Sequence, residues 1–138
     1  FDHVVTAGSI FKPWQLNSPY RPSVAANQAT VVATSAVMRV TTLLPAGNTA
    51  SVHDWASNSL VQASYRDSAG TTTVGHRLDI SSNNASETFL NVIDKGSAVE
   101  SSSVSVQNQE TELSLPLKGR PKMIIRFKPC CNTPATIN

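Results

Sequence analysis

The sequence predicts an all-β protein: a two-sheet antiparallel β-sandwich, jelly-roll-like, with an extended Pro-rich N-terminal arm. Three observations carry that reading. Apolar and polar residues alternate in short runs, as in Ser103-Val104-Ser105-Val106 and Glu112-Leu113-Ser114-Leu115, so that each strand has one buried and one polar face. Turn residues punctuate the second half at intervals of roughly ten residues, the spacing of a sandwich or barrel. Only 14% of the chain is charged, against about 25% in an average soluble domain, and Ser, Thr, Asn and Gln carry the polar weight instead. Such surfaces suit extracellular or assembled proteins.

The 138 residues make one domain, read as an arm over 1–29, a sandwich over 30–128 and a tail over 129–138. A chain of this length can bury roughly two-thirds of its unfolded surface, so its core needs neither metals nor crosslinks. Pro13, Pro19 and Pro22 crowd the arm too closely for a helix or a central strand. Phe11, Trp14, Leu16 and Tyr20 are nevertheless anchors, which implies that the arm docks on its own sheet or on a neighbouring subunit. From Thr30 to Leu44 the β-branched run predicts one long strand, or two joined by a bend, ending at the turn Pro45-Ala46-Gly47-Asn48. Ser51-Val52-His53-Asp54 has the form of a capping box, so a short helix is expected there. Leu60–Arg66 and Thr71–Ile80 flank Asp67-Ser68-Ala69-Gly70 as a hairpin. The ladder continues with Thr88–Ile93, Ala98–Val106, Thr111–Leu117 and Met123–Phe127, with turns at Asp94-Lys95-Gly96, Gln107–Glu110 and Lys118–Pro121.

Little catalytic chemistry is visible. His3, His53 and His76 are the whole imidazole supply, and neither His53/Asp54 nor His76/Asp79 has metal-ligand spacing with a further partner. There is no Gly-x-Ser-x-Gly elbow and no phosphate-cradling glycine loop. The carboxylates, Asp79 and Asp94 among them, read as turn and rim residues. The chain is therefore expected not to be an enzyme and to need no metal or cofactor. Cys130 and Cys131 are adjacent, where a mutual disulfide would strain the backbone, so they are expected to be free or bridged to another chain. Asn84-Ala85-Ser86 is an N-glycosylation sequon in an expected loop. No run approaches the roughly 18 apolar residues of a membrane span. The sequence opens at Phe1 without a Met, as a processed product would.

Charge is the sharpest signal. Residues 1–117 carry six Lys/Arg and nine Asp/Glu, net −3, whereas 118–138 carry five basic residues and no acid, net +5. Lys118, Arg120, Lys122, Arg126 and Lys128 fall on one turn and one strand face, with Met123, Ile125 and Phe127 on the other face. Such a face can contact nucleic acid through counterion release, meet an acidic partner subunit, or guard a solvated edge strand.

The segment Phe11-Lys12-Pro13-Trp14-Gln15-Leu16-Asn17-Ser18-Pro19-Tyr20-Arg21-Pro22 is similar to the aromatic-x-Leu-Asn-Ser-x-x-x-Pro segment of tombusvirus-like and small circular-DNA virus capsids. With the Ser/Thr/Val-rich strands and the basic patch, the chain resembles single jelly-roll icosahedral coat proteins. That resemblance implies a virion shell subunit whose function is self-assembly with copies of itself or related coat subunits, with no catalytic residues to carry over. Phe11, Trp14 and Tyr20 are then expected at the subunit contact. The alternative is a secreted or cell-surface β-sandwich binding module, an adhesin, pilin-like or carbohydrate-binding domain, whose candidate ligand cluster is Trp55 with His53, Asp54 and Asn58.

Overall fold

The computed structural model describes residues 2–5, 12–55, 75–82, 84, 86–96, 98–107, 110–128 and 136–137. They form β1 (Asp2–Val5), β2 (Lys12–Ser18), β3 (Ser23–Ala25), β4 (Gln28–Val32), β5 (Val37–Leu44), β6 (Thr49–Asp54), β7 (His76–Ser82), β8 (Ser86–Lys95), β9 (Ser103–Gln107), β10 (Glu110–Leu115), β11 (Met123–Phe127) and β12 (Thr136–Ile137). All pairings are antiparallel. The all-β, sandwich-like class is as the alternation implied, but the described strands form three sheets rather than two, ordered β1-β8-β5-β4-β3, β12-β11-β10-β9 and β2-β7-β6.

The five-stranded sheet carries apolar residues on both faces. On one face Ala29, Met38, Val40 and Phe89 meet Leu78, Ile80, Trp14, Leu16, Ala50 and Val52 of the three-stranded sheet. On the other, Leu90 and Val92 meet Leu113, Leu115, Val104, Met123, Ile125 and Phe127 of the four-stranded sheet. Strand period explains the split: Phe89 and Leu90 are neighbours in β8 and so point to opposite sides. In β5 the register slips between Thr42 and Leu44, and Leu43 and Leu44 both pack into the second cluster, as a bulge permits.

The described residues of the expected arm form strands docked on the chain's own sheet, one of the two expected dockings, rather than an irregular segment. They contribute β1, β2 and β3, and Trp14 and Leu16 pack into the chain's own core. Proline was the misleading signal: Pro19 and Pro22 fall between strands, and Pro13 sits in β2, an edge strand that can spare one ladder hydrogen bond. Ser51–Asp54, expected as the capping box of a short helix anchored by Trp55 and Leu60, is instead part of strand β6, paired with β7 from Thr49↔Ser81 to Asp54↔His76, and residues 56–60 lie outside the described residues. Ala50 and Val52 alternate inward there, and cross-strand pairing overrides the capping pattern. The run 30–44 forms β4 and β5, which are joined by a turn closed by Ala33 N–H donating to Ala36 O at 2.8 Å. The expected hairpin around Asp67–Gly70 lies outside the described residues, as do Phe11, Asn58, Cys130 and Cys131.

The C-terminal ladder follows the alternation closely. Thr111, Leu113 and Leu115 of β10 are buried while Glu110, Glu112 and Ser114 are half-buried on the outer side. Gly119, at φ 66°, supplies the left-handed residue that turns the chain from β10 into β11.

Candidate functional site

The outer face of the three-stranded sheet holds the densest polar cluster. Pairing sets Gln15, Asp79 and Ser51 in one cross-strand row, and Asn17, Arg77 and His53 in the next. Because Leu78 and Ile80 point into the core, Asp79 between them must point out, yet it is only 1% exposed. Neighbouring side chains cover it. Arg77 Nη2 donates to Asp79 Oδ2 at 2.9 Å and Gln15 Nε2 donates to Oδ1 at 3.2 Å, while His53 Nε2 lies 3.1 Å from Oδ2. Arg77 Nε is also 2.8 Å from Oδ1, but its N–H is not directed at that oxygen, so this contact is Coulombic. The guanidinium carbon stands 4.8 Å from the centroid of the Trp55 ring, a cation–π contact that closes the cluster. A buried carboxylate is tolerated only with such multiple partners.

Ser51, His53 and Asp79 have the composition of a nucleophilic triad without its wiring. Ser51 Oγ is 3.2 Å from His53 Nε2, and Asp79 approaches that same nitrogen. A relay needs the nucleophile and the acid on opposite ring nitrogens. Among the described residues no group of three or more His, Cys, Asp and Glu could hold a metal ion.

The ligand cluster expected from sequence does not converge. Strand alternation sends His53 to the outer face toward Asp79, whereas Asp54 points the other way, 3.8 Å from His76 Nδ1 and 3.8 Å from Arg21 Nη1. Trp55 joins Arg77 instead of Asp54. Sequence reasoning missed Gln15 and Arg77, and it weighed Asp79 with His76, which faces Asp54 instead. Asp79 and Asp94 are buried at 1% and 8% exposure rather than rim residues. The available signal was an acid flanked by two core aliphatics, Leu78-Asp79-Ile80, which requires a partner on whichever face it occupies.

The basic window divides in two. On β11, Arg126 Nε donates to Glu112 Oε2 at 2.9 Å and Lys128 Nζ lies 3.4 Å from Glu110 Oε1, so the strand face is charge-balanced by β10. In the turn, Lys118, Arg120 and Lys122 are exposed and have no acidic partner among the described residues. β11 is an interior strand between β10 and β12, not an edge.

Of the residues expected at a subunit contact, Trp14 is engaged in the chain's own core and Tyr20 is 44% exposed. Tyr20 borders an apolar cleft of about 400 Å³ with Leu16, Pro19, Val31, Met38 and Ile93. A second, polar cleft of about 500 Å³ is lined by Asn27, Gln28, Arg39, Thr41, Asp94 and Glu100 among others. Asp94 there accepts from Ala98 N–H at 3.1 Å and faces Arg39 Nη1 at 3.8 Å. No protein-family model matches this chain, and neither the curated proteins nor the solved structures contain a match to it.

Proposed function

We propose that this chain is a structural self-assembly protein, a jelly-roll-like coat subunit of a virion shell, whose function is binding and assembly rather than catalysis. The observation that carries the reading is the cationic turn. Lys118, Arg120 and Lys122 are exposed within five residues of one another without acidic partners among the described residues, while Arg126 and Lys128 are paired. Three unbalanced charges on one exposed turn are a surface for a polyanion, and nucleic acid is the polyanion a shell encloses. The contact is thus narrower than the whole basic window.

The test is native mass by light scattering at low and high salt, with and without single-stranded DNA, for the wild type and for Lys118→Glu/Arg120→Glu/Lys122→Glu. The expected result is a large assembly whose DNA affinity falls with salt at a log–log slope of about −2, the value for three single-strand phosphates, and is lost in the triple variant. A species that stays monomeric at both salts and ignores DNA overturns the proposal.

The polar cleft favours a second reading, a secreted or cell-surface binding module. Arg39, Asp94, Gln28 and Thr41 converge there as donors and acceptors around a volume of about 500 Å³, the size of a small-ligand site. Saturation-transfer NMR against a glycan panel, with Arg39→Ala as the control, separates this reading from the first.

A further inference from the structure

Each sheet in this protein ends in two strands, and most of those edges are protected. Among the described edge strands, β1, β3 and β12 run only four, three and two residues. β2 contains Pro13 and β6 carries His53 and Asp54. Short length, proline and charge are the usual means of preventing edge-to-edge pairing. β9, one residue longer than β1, has neither proline nor charge. It is Ser-Val-Ser-Val-Gln over five residues, ends the sheet β12-β11-β10-β9, pairs in unbroken register with β10 from Glu110↔Gln107 to Ser114↔Ser103, and includes Val106 at 60% exposure.

We infer that β9 is the contact through which two copies of this chain pair, edge to edge and antiparallel, about a twofold axis at Ser105. Symmetry restricts the register. A twofold normal to the sheet must pass through a residue, because directly opposed side chains share a face. Centring on Ser105 uses the whole strand: Ser105 meets its own copy, Val104 meets the copy's Val106, and Ser103 meets the copy's Gln107. No like charges meet, since β9 has no charge. Val104 already lies in an apolar row with Leu113 and Ile125. The copy's Val106 extends that row across the axis and covers the most exposed apolar side chain on the strand. An unrelated extended peptide could add to the same edge, but only a second copy places Val104 and Val106 opposite each other twice.

This inference names the contact underlying the assembly proposed above, and its test separates the two. Sedimentation velocity over a wide concentration range is run on the wild type, Ser105→Lys and Val106→Lys, both exposed positions, with amide exchange of 103–107 as the second readout. The expected result is self-association in the wild type, exchange at 103–107 that slows as concentration rises, and dissociation constants raised at least about tenfold in both variants. Ser105→Lys opposes two ammonium groups at the axis, where directly opposed like charges repel. Persistent monomer in the wild type, or self-association unchanged in Ser105→Lys, overturns the β9 contact. A discrete dimer abolished by Ser105→Lys, with no larger assembly at any salt, supports β9 and removes the shell; a salt-sensitive shell indifferent to Ser105→Lys does the reverse.

Discussion

Removing the Asp79 carboxylate is the sharpest test of how the three-stranded sheet is held. Asp79→Ala deletes the acceptor for Arg77 and Gln15 and the contact to His53. A hydrogen bond to a charged group contributes about 1.5–3 kcal/mol, and leaving one member of a buried ion pair alone costs about 3–5 kcal/mol. The Arg77 side chain is 25% exposed, so its guanidinium regains some water when Asp79 is lost. That places the expected cost near the lower bound, at about 2–3 kcal/mol. Arg77→Ala leaves Asp79, which has almost no exposure of its own, with only Gln15 and His53 as partners, and should cost at least as much. The double variant should cost clearly less than the sum, with a coupling energy of about 1–3 kcal/mol. Urea denaturation followed by tryptophan fluorescence reads all four proteins, since Trp55 lies against Arg77. A loss below about 0.5 kcal/mol in Asp79→Ala, the scale of an ordinary surface change, or strict additivity in the cycle, would refute the claim that this buried carboxylate organises the sheet's outer face.

Two further outcomes follow from geometry. Gly75→Ala should destabilise by about 1–3 kcal/mol, the usual overpacking range, because a Cβ there would lie 2.5 Å from the Ser18 carbonyl oxygen; a thermal melt matching the wild type would show that β2 and β7 separate more easily than their pairing indicates. Arg126→Ala should change stability by less than about 1 kcal/mol, since the side chains of its pair with Glu112 are 43% and 37% exposed; a larger loss in urea titration would show that the β10–β11 pair acts as more than a solvated contact.

The parts of the fold legible in sequence were those where one residue type repeats at one period. β9 and β10 alternate in sequence, β11 does so apart from Ile124, and the turns at Gly96 and Gly119, with φ 77° and 66°, stand where the sequence placed them. The rest depended on distant partners. Pro13 disfavours a strand and Ser51–Asp54 favours a helix start by local chemistry alone, and pairing with β7 from either side overrides both. The polar cluster was illegible for the same reason: Gln15 and Asp79 are 64 residues apart, and only the register of β2 on β7 brings them together. The charge of the basic window was plain, but its partial neutralisation was not, because Glu110 and Glu112 precede it by a full strand and turn.

β8 places Phe89 in one apolar cluster and Leu90 in the other, as β5 does with Val40 and Leu44, and these two strands give the molecule its spine. Among the described residues the two outer sheets pack on opposite faces of the five-stranded sheet, and β8 serves both. Damage to that strand is therefore felt twice, and neither outer layer is a module that evolution or an engineer could exchange while leaving the other untouched. The ordinary safeguard against slippage, one greasy face and one wet one, is missing along its middle. Its place is taken by Asp94 near the end, anchored by Ala98 and Arg39, which acts as a peg: a slip of one residue would drive a carboxylate toward the side where Ile93 now stands and leave its partners behind.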